Sequence, residues 1–155
     1  MARIETLMLA NHAESINGLL YVHGGGWSHH WREPGTGARQ SQFAVAATVL
    51  LAPGEGPEGV PFVLRILSSQ GEEVLRADGM LQGPPTADGQ EVRTGIAMNA
   101  NVVFPHEGPY TLNAEIAGVT GPTVPFWVHD RPADDGTGEG SGSSEPDYGG
   151  SAGYL

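Results

Sequence analysis

Apolar and polar side chains alternate with a period of two along most of the first 128 residues. The clearest examples are 96–104 and 110–116, where positions of one parity are mainly apolar and their neighbours are mainly polar or small. A period of two is typical of a half-buried β-strand, and no segment keeps the 3.6-residue period of an amphipathic helix. The pattern therefore predicts an all-β protein.

The same alternation predicts seven to nine short strands. The candidate strands are 4–10, 19–23, 27–31, 43–51, 62–66, 73–76, 96–104, 110–116 and 123–128, with 73–76 as an edge strand. Glycine and proline, present 24 and 12 times, recur at almost every junction. This spacing favours a two-sheet, Ig-like sandwich, and a barrel is the alternative.

The segment 11–18 has two interpretations. Asn17-Gly18 is a strong signal for a two-residue β-hairpin loop. Asn11 is also a good helix N-cap, so 11–15 is equally compatible with one helical turn. The sequence leaves both open.

The composition changes after Val128. Residues 129–155 hold seven Gly, two Pro and six acidic residues against one Arg, and their only sizeable apolar groups are Tyr148, Tyr154 and Leu155. Such a segment buries too little apolar surface to offset the entropy of ordering its backbone. We therefore expect a β-sandwich domain over 1–128 and a disordered acidic tail over 129–155. The tail is either a solubilising segment or, through its tyrosines, a recognition motif.

Charge and missing residue types exclude several classes of protein. The net charge is −11, which disfavours nucleic-acid binding, since that requires cationic groups against the phosphates. All seven basic residues are Arg and there is no Cys, so Schiff-base lysines, disulfides and thiol nucleophiles are excluded. Without a signal peptide or a long apolar run, we expect a cytoplasmic protein with no membrane contact and no cofactor.

Four segments together resemble a bacterial family of small uncharacterised β-sandwich proteins, a domain of unknown function. They are the opening strand 3–10, the segment 17–27 that ends in Gly-Gly-Gly-Trp, the strand 108–112 that reads Gly-Pro-Tyr-Thr-Leu, and the strand 125–128 that reads Pro-Phe-Trp-Val. The resemblance covers about 3–128. It implies a cytoplasmic β-sandwich and brings no catalytic or binding residue with it.

Three short motifs suggest enzymes but lack the required context. Residues 23–26 match an esterase oxyanion-hole string and 149–153 match G-x-S-x-G, yet no strand precedes Ser151 and no histidine follows it. Residues 54–59 match G-x-G-x-x-G, but Pro57 and the nearby Pro61 interrupt the stretch and its two glutamates would repel phosphate, which makes it a poor phosphate-binding helix start. We therefore predict a protein that is not an enzyme.

The histidines are the weak candidates for a metal site. His23, His29 and His30 are close in sequence and His106 lies further along, and neutral imidazole is a common metal ligand. On a straight strand His23 and His29 would lie about 20 Å apart, and His29 and His30 would point to opposite faces. Convergence would need a bulge at the glycines or a partner from another strand.

Aromatic residues mark the candidate interaction surface. If 27–31 is a strand, Trp27, His29 and Trp31 share one face; a core stripe is the default interpretation, because Trp is highly buried on average, and an exposed contact surface is the alternative. On the last strand we expect Phe126 and Val128 to face inward, which leaves Trp127 partly exposed.

The leading functional hypothesis is a non-enzymatic β-sandwich that binds another protein or self-associates. The first alternative is a metal- or small-ligand-binding protein that uses the His and Trp residues of 23–31. The second alternative is a phage- or assembly-related structural subunit, which rests on fold analogy alone.

Overall fold

A computed structural model of the chain describes residues 1–32, 40–84 and 89–132. These residues form nine strands: β1 (Arg3–Ile16), β2 (Leu19–Gly25), β3 (His29–Arg32), β4 (Gln40–Leu51), β5 (Val60–Ser68), β6 (Glu73–Leu81), β7 (Val92–Val103), β8 (Gly108–Ile116) and β9 (Val119–Asp130). The described residues contain no helix, and so none that could span a membrane. The predicted tail lies outside the described residues beyond Pro132.

The strands form two sheets that pack over a common core. The four-stranded sheet has the order β2-β1-β4-β7 and the five-stranded sheet the order β3-β9-β8-β5-β6. Leu9, Phe43 and Val45 from the first sheet and Leu64, Leu112 and Phe126 from the second lie in one buried cluster. The predicted all-β, two-sheet sandwich is confirmed, whereas the description as Ig-like stays a prediction.

The alternation seen in the sequence points one face of each strand into this core. On β4 the odd positions from Phe43 to Leu51 are all buried in the main cluster, and on β8 Tyr110, Leu112, Ala114 and Ile116 do the same. Each fully buried large apolar side chain contributes about 1.5–3 kcal/mol relative to its exposed state. The period of two is therefore the main sequence determinant of the fold.

The hairpin interpretation of 11–18 is correct and the helical turn is wrong. β1 continues to Ile16, and Ile16 pairs with Leu19 across a two-residue loop. Asn17 and Gly18 have φ values of 52° and 78°, as the hairpin turn with two left-handed residues requires. Asn and Gly are the residues that adopt this conformation at least cost, so the turn chemistry decides the local structure.

The β1–β2 hairpin curves back over the outer face of its own sheet, where it covers β4 and β7. Leu20 and Val22 of the hairpin pack on a second buried cluster formed by Ala10, Ala13, Ala44 and Ala46. A side chain at Gly95 would begin only 3.0 Å from Leu20 Cβ, so the hairpin lies almost on the backbone of β7. Small residues at these outer positions make room for the hairpin.

The last strand is longer than its sequence pattern predicts. β9 begins at Val119, directly after a tight turn in which Ala117 and Gly118 have φ values of 50° and 76°. A bulge opposite β8 accommodates Gly121 and Pro122. β9 ends at Asp130, two residues beyond the expected end of the domain at Val128, so His129 and Asp130 belong to the sheet.

Candidate functional site

The candidate site is the edge of the five-stranded sheet where β3 pairs with β9. This pairing is parallel, unlike the other strand pairs among the described residues, and aligns His29 with Trp127 and Trp31 with His129. Side chains on a strand alternate between its two faces. The pairing therefore places these four aromatic side chains together on the outer face of the sheet.

We call His29, Trp31, Trp127 and His129 the ring cluster. Trp31 stacks on His129 with ring centroids 4.6 Å apart, and Trp127 lies nearly parallel to His129 at 6.4 Å. His29 Nδ1 lies 2.8 Å from His129 Nε2, a hydrogen bond between two imidazoles. His129 thus contacts the other three rings, while Trp31 and Trp127 remain 50% and 49% exposed.

Arg32 fixes the short strand β3 from the opposite face. Its side chain is buried, and it donates hydrogen bonds from Nε to Asp130 Oδ1 at 2.8 Å and from Nη1 to the Phe104 carbonyl at 2.5 Å. A buried guanidinium is stable only when it is paired and hydrogen-bonded in this way. Arg32 therefore ties β3 to β9 and to the end of β7, which holds the ring cluster in register.

The structure corrects the predicted position of Trp27. Trp27 precedes β3 and does not share the outer face with His29 and Trp31; its ring packs edge-on against Phe43 and Phe126 in the core. The strand breaks between Gly25 and His29, with Gly26 at a φ of 84°. Side-chain parity does not carry across such a break, so Trp27 belongs to the core side of the sheet.

On the last strand the parity prediction is confirmed. Phe126 and Val128 are buried, and Trp127 between them points outward.

His30 faces inward beside Trp27. Its ring centroid lies 5.5 Å from that of Trp27 and 5.9 Å from that of Phe104. Burial against these rings lowers the pKa of His30 below its ordinary value, because a charged imidazole loses its hydration there. His30 is therefore a core-edge residue, separate from the ring cluster.

A shallow cleft of about 510 Å³ runs along the side of β3 that faces away from β9. Its lining comprises Asn11, Gly24, Gly25, Gly26, Trp27, His29, His30, Trp31 and Arg131. Trp127 N donates to the Ser28 carbonyl and Arg131 N to the Arg32 carbonyl. The main-chain groups at the even positions of 28–32 therefore form their hydrogen bonds with β9. The main-chain groups of His29 and Trp31 consequently point into the cleft.

The four histidines considered as metal candidates do not converge. His23 lies on β2 opposite His12, with ring centroids 6.0 Å apart, and His106 Nε2 is 3.9 Å from a Glu72 carboxylate oxygen. His29 and His30 point to opposite faces of β3. Among the described residues no group of three or more His, Asp or Glu side chains is placed to hold an ion.

Sequence reasoning missed His129, which is the central ring of the cluster. The glycine-rich composition of the tail placed the domain boundary at Val128 and assigned His129 to the tail. The alternation of side chains along β9 would have identified it, because Trp127 and His129 share a face if the strand continues by two residues.

Comparison with known families matches residues 5–129 to DUF6941, a family of unknown function. The matched segment contains all four residues of the ring cluster. No curated protein shows significant similarity to the chain.

Proposed function

Since the chain belongs to DUF6941, a family without an assigned activity, we propose from its geometry that the domain is a non-enzymatic binding module. Its ring cluster docks a partner protein. The observation that carries the proposal is the pair of half-exposed tryptophans held on a sheet edge by Arg32. Tryptophan is among the residues that contribute most to protein interfaces when a partner covers it.

The open side of β3 supports docking of an extended segment of the partner. Among the described strands only β9 pairs with β3, and the main-chain groups of His29 and Trp31 face the cleft. An edge strand offers main-chain hydrogen bonds to an added strand, while neighbouring side chains select its sequence. The ring cluster supplies the side-chain part of that recognition.

The charge of the chain supports a basic partner rather than a second copy. The net charge is −11, so two copies repel one another at low ionic strength, whereas a cationic protein is attracted. Tryptophan faces also attract Arg and Lys side chains. A cytoplasmic location and the absence of catalysis are part of the same proposal.

The test compares two double variants of the immobilised full chain in extracts of the source organism. Trp31→Ala/Trp127→Ala removes the exposed part of the ring cluster. Leu19→Ala/Tyr21→Ala is the matched control, because these side chains are 62% and 47% exposed on the other sheet. We expect the first variant to lose a captured basic protein, with about 30-fold weaker binding of the purified partner for a typical tryptophan hot spot. The control retains it.

Two outcomes would contradict this proposal. One is that both variants capture the same proteins as the wild-type chain, since the ring cluster then contacts no partner. The other is that sedimentation shows a tryptophan-dependent oligomer of the chain alone. That result would favour self-assembly and the role of a structural subunit.

A further inference from the structure

The His29–His129 pair carries an inference that does not depend on the partner protein. The rings lie 5.1 Å apart between centroids, their planes differ by 20°, and the facing nitrogens are 2.8 Å apart. With so short a nitrogen separation, this centroid distance means that the rings meet edge to edge, nearly in one plane. Two imidazole nitrogens on neighbouring strands therefore face each other across 2.8 Å.

We propose that His29 Nδ1 and His129 Nε2 bind one divalent transition-metal ion of the Cu²⁺ or Ni²⁺ type. Imidazole nitrogens bind such ions at about 2.0–2.1 Å, and two ligands at a right angle then lie about 2.9 Å apart. The observed 2.8 Å agrees with this separation. Binding requires both imidazole rings to rotate, so that their lone pairs turn from the line between the two nitrogens toward the ion.

The proton balance of binding is simple. In the hydrogen bond one of the two facing nitrogens carries a hydrogen, and the ion requires both of them unprotonated. That hydrogen moves to the other nitrogen of the same ring, so two neutral imidazoles bind the ion with no net release of protons. The N–H groups then lie on His29 Nε2 and His129 Nδ1.

The surroundings specify the class of ion. No third His, Asp or Glu side chain joins the pair to form a larger ligand group among the described residues. Hard ions such as Mg²⁺ prefer oxygen ligands, whereas Cu²⁺ and Ni²⁺ bind tightly to a few nitrogen donors in tetragonal geometry. Water fills the remaining positions, so the site is an open one with modest affinity.

Trp31 makes the site observable. Its ring centroid is 4.6 Å from that of His129, so bound Cu²⁺ or Ni²⁺ will quench its fluorescence. The experiment titrates the untagged full chain with Cu²⁺, Ni²⁺ and Mg²⁺ at pH 7.5 while following tryptophan emission. We expect saturable quenching with Cu²⁺ and Ni²⁺ and none with Mg²⁺.

Three variants locate the ion. His29→Ala and His129→Ala each raise the half-saturation concentration about tenfold or more, since even loss of an outer-shell partner costs about 10–100-fold in metal affinity. His23→Ala is the matched control, because His12 and His23 form another exposed pair whose planes are tilted by 44°. It leaves the titration unchanged.

The inference is overturned if wild-type quenching does not saturate, or if His23→Ala weakens it as much as His129→Ala. Electron paramagnetic resonance of wild-type protein with Cu²⁺ decides the matter if a variant fails to fold. Coupling to two imidazole nitrogens that persists in His23→Ala supports the site, and its absence rejects it. His29→Ala keeps both exposed tryptophans, so failure of this site and failure of partner binding are distinguishable.

Discussion

His30 and His29 are adjacent on β3 but lie in different environments. The His30 imidazole sits between the rings of Trp27, Phe43 and Phe104, whereas the adjacent His29 points to solvent. Burial lowers the pKa of His30, since the surrounding rings replace the water that would hydrate its charge. The folded protein therefore favours neutral His30.

This pKa shift predicts that stability decreases on mild acidification. An unfolded histidine titrates near pH 6.5. Between that pH and the lowered pKa of folded His30, the unfolded chain binds a proton that the folded chain does not. The contribution of His30 to the free energy of unfolding is therefore greatest above pH 6.5 and falls as the pH drops through this window. Urea unfolding between pH 7.5 and 4.5 measures the effect.

The variant His30→Phe isolates that contribution. It retains a ring in the aromatic environment but cannot bind a proton, so the loss of stability on acidification is smaller than in the wild-type chain. His106→Gln is the control for the loss of a histidine ring at an exposed position. An identical pH profile for His30→Phe and wild type would refute the assignment.

The contrast between Trp27 and Trp127 shows what residue patterns predict. Trp127 lies inside a continuous strand, so alternation correctly gives its exposure. Trp27 lies just before a strand, after the turn at Gly26, and the same rule fails there. Parity is therefore reliable within a strand, but the sequence does not show where a glycine run interrupts that strand.

At the scale of elements, the β1–β2 hairpin is clamped to β7 by one side chain. Asn99 Nδ2 donates to the Ala13 carbonyl at 2.8 Å, and Ala13 N donates to Asn99 Oδ1 at 3.2 Å. Ala13 is buried, so its main-chain groups depend on this partner. The amide of Asn99 replaces the ladder hydrogen bonds that a neighbouring strand would provide.

Asn99→Ala is expected to reduce the free energy of unfolding by about 1 kcal/mol, because it removes both hydrogen bonds to the partly buried Ala13 main-chain groups. Asn101→Ala is the matched control, since Asn101 is exposed two residues further along β7, and its effect should stay within about 0.5 kcal/mol. Urea unfolding measures both. Equal effects for the two variants would mean that the clamp is not needed.

The hairpin also shows how much of an element a sequence predicts. Asn17-Gly18 indicates a turn because few other residues adopt two successive left-handed conformations. The covering of β4 by the hairpin was not predictable in the same way. Ala44 and Ala46 are small residues on an outer face, and the sequence does not reveal whether solvent or another element lies above them.

At the scale of the whole molecule, we expect the charge of the C-terminal segment to be separable from the fold. The segment 133–155 carries five acidic residues and no Arg, and no described strand lies after Asp130. A chain ending at Pro132 should therefore keep the melting temperature of the full chain while its net charge falls in magnitude. We expect greater self-association at low ionic strength, measured by light scattering.

A chain ending at Val128 is the control for this truncation. It removes His129 from the ring cluster and removes Asp130, the carboxylate that accepts from buried Arg32. An unpaired buried guanidinium is costly, so this chain should melt at a lower temperature. If both truncated chains melt at the same temperature, His129 and Asp130 are not needed for the stability of the fold.

The parallel pairing of β3 with β9 has a consequence during protein synthesis. The paired histidines His29 and His129 are 100 residues apart in the chain, so a ribosome that adds about 5–20 residues per second completes the second roughly 5–20 s after the first. Until then Trp31 has no stacking partner and Arg32 no carboxylate. The ring cluster therefore forms only after Asp130 has been synthesised, and translation products that stop earlier lack the surface that we propose for partner binding.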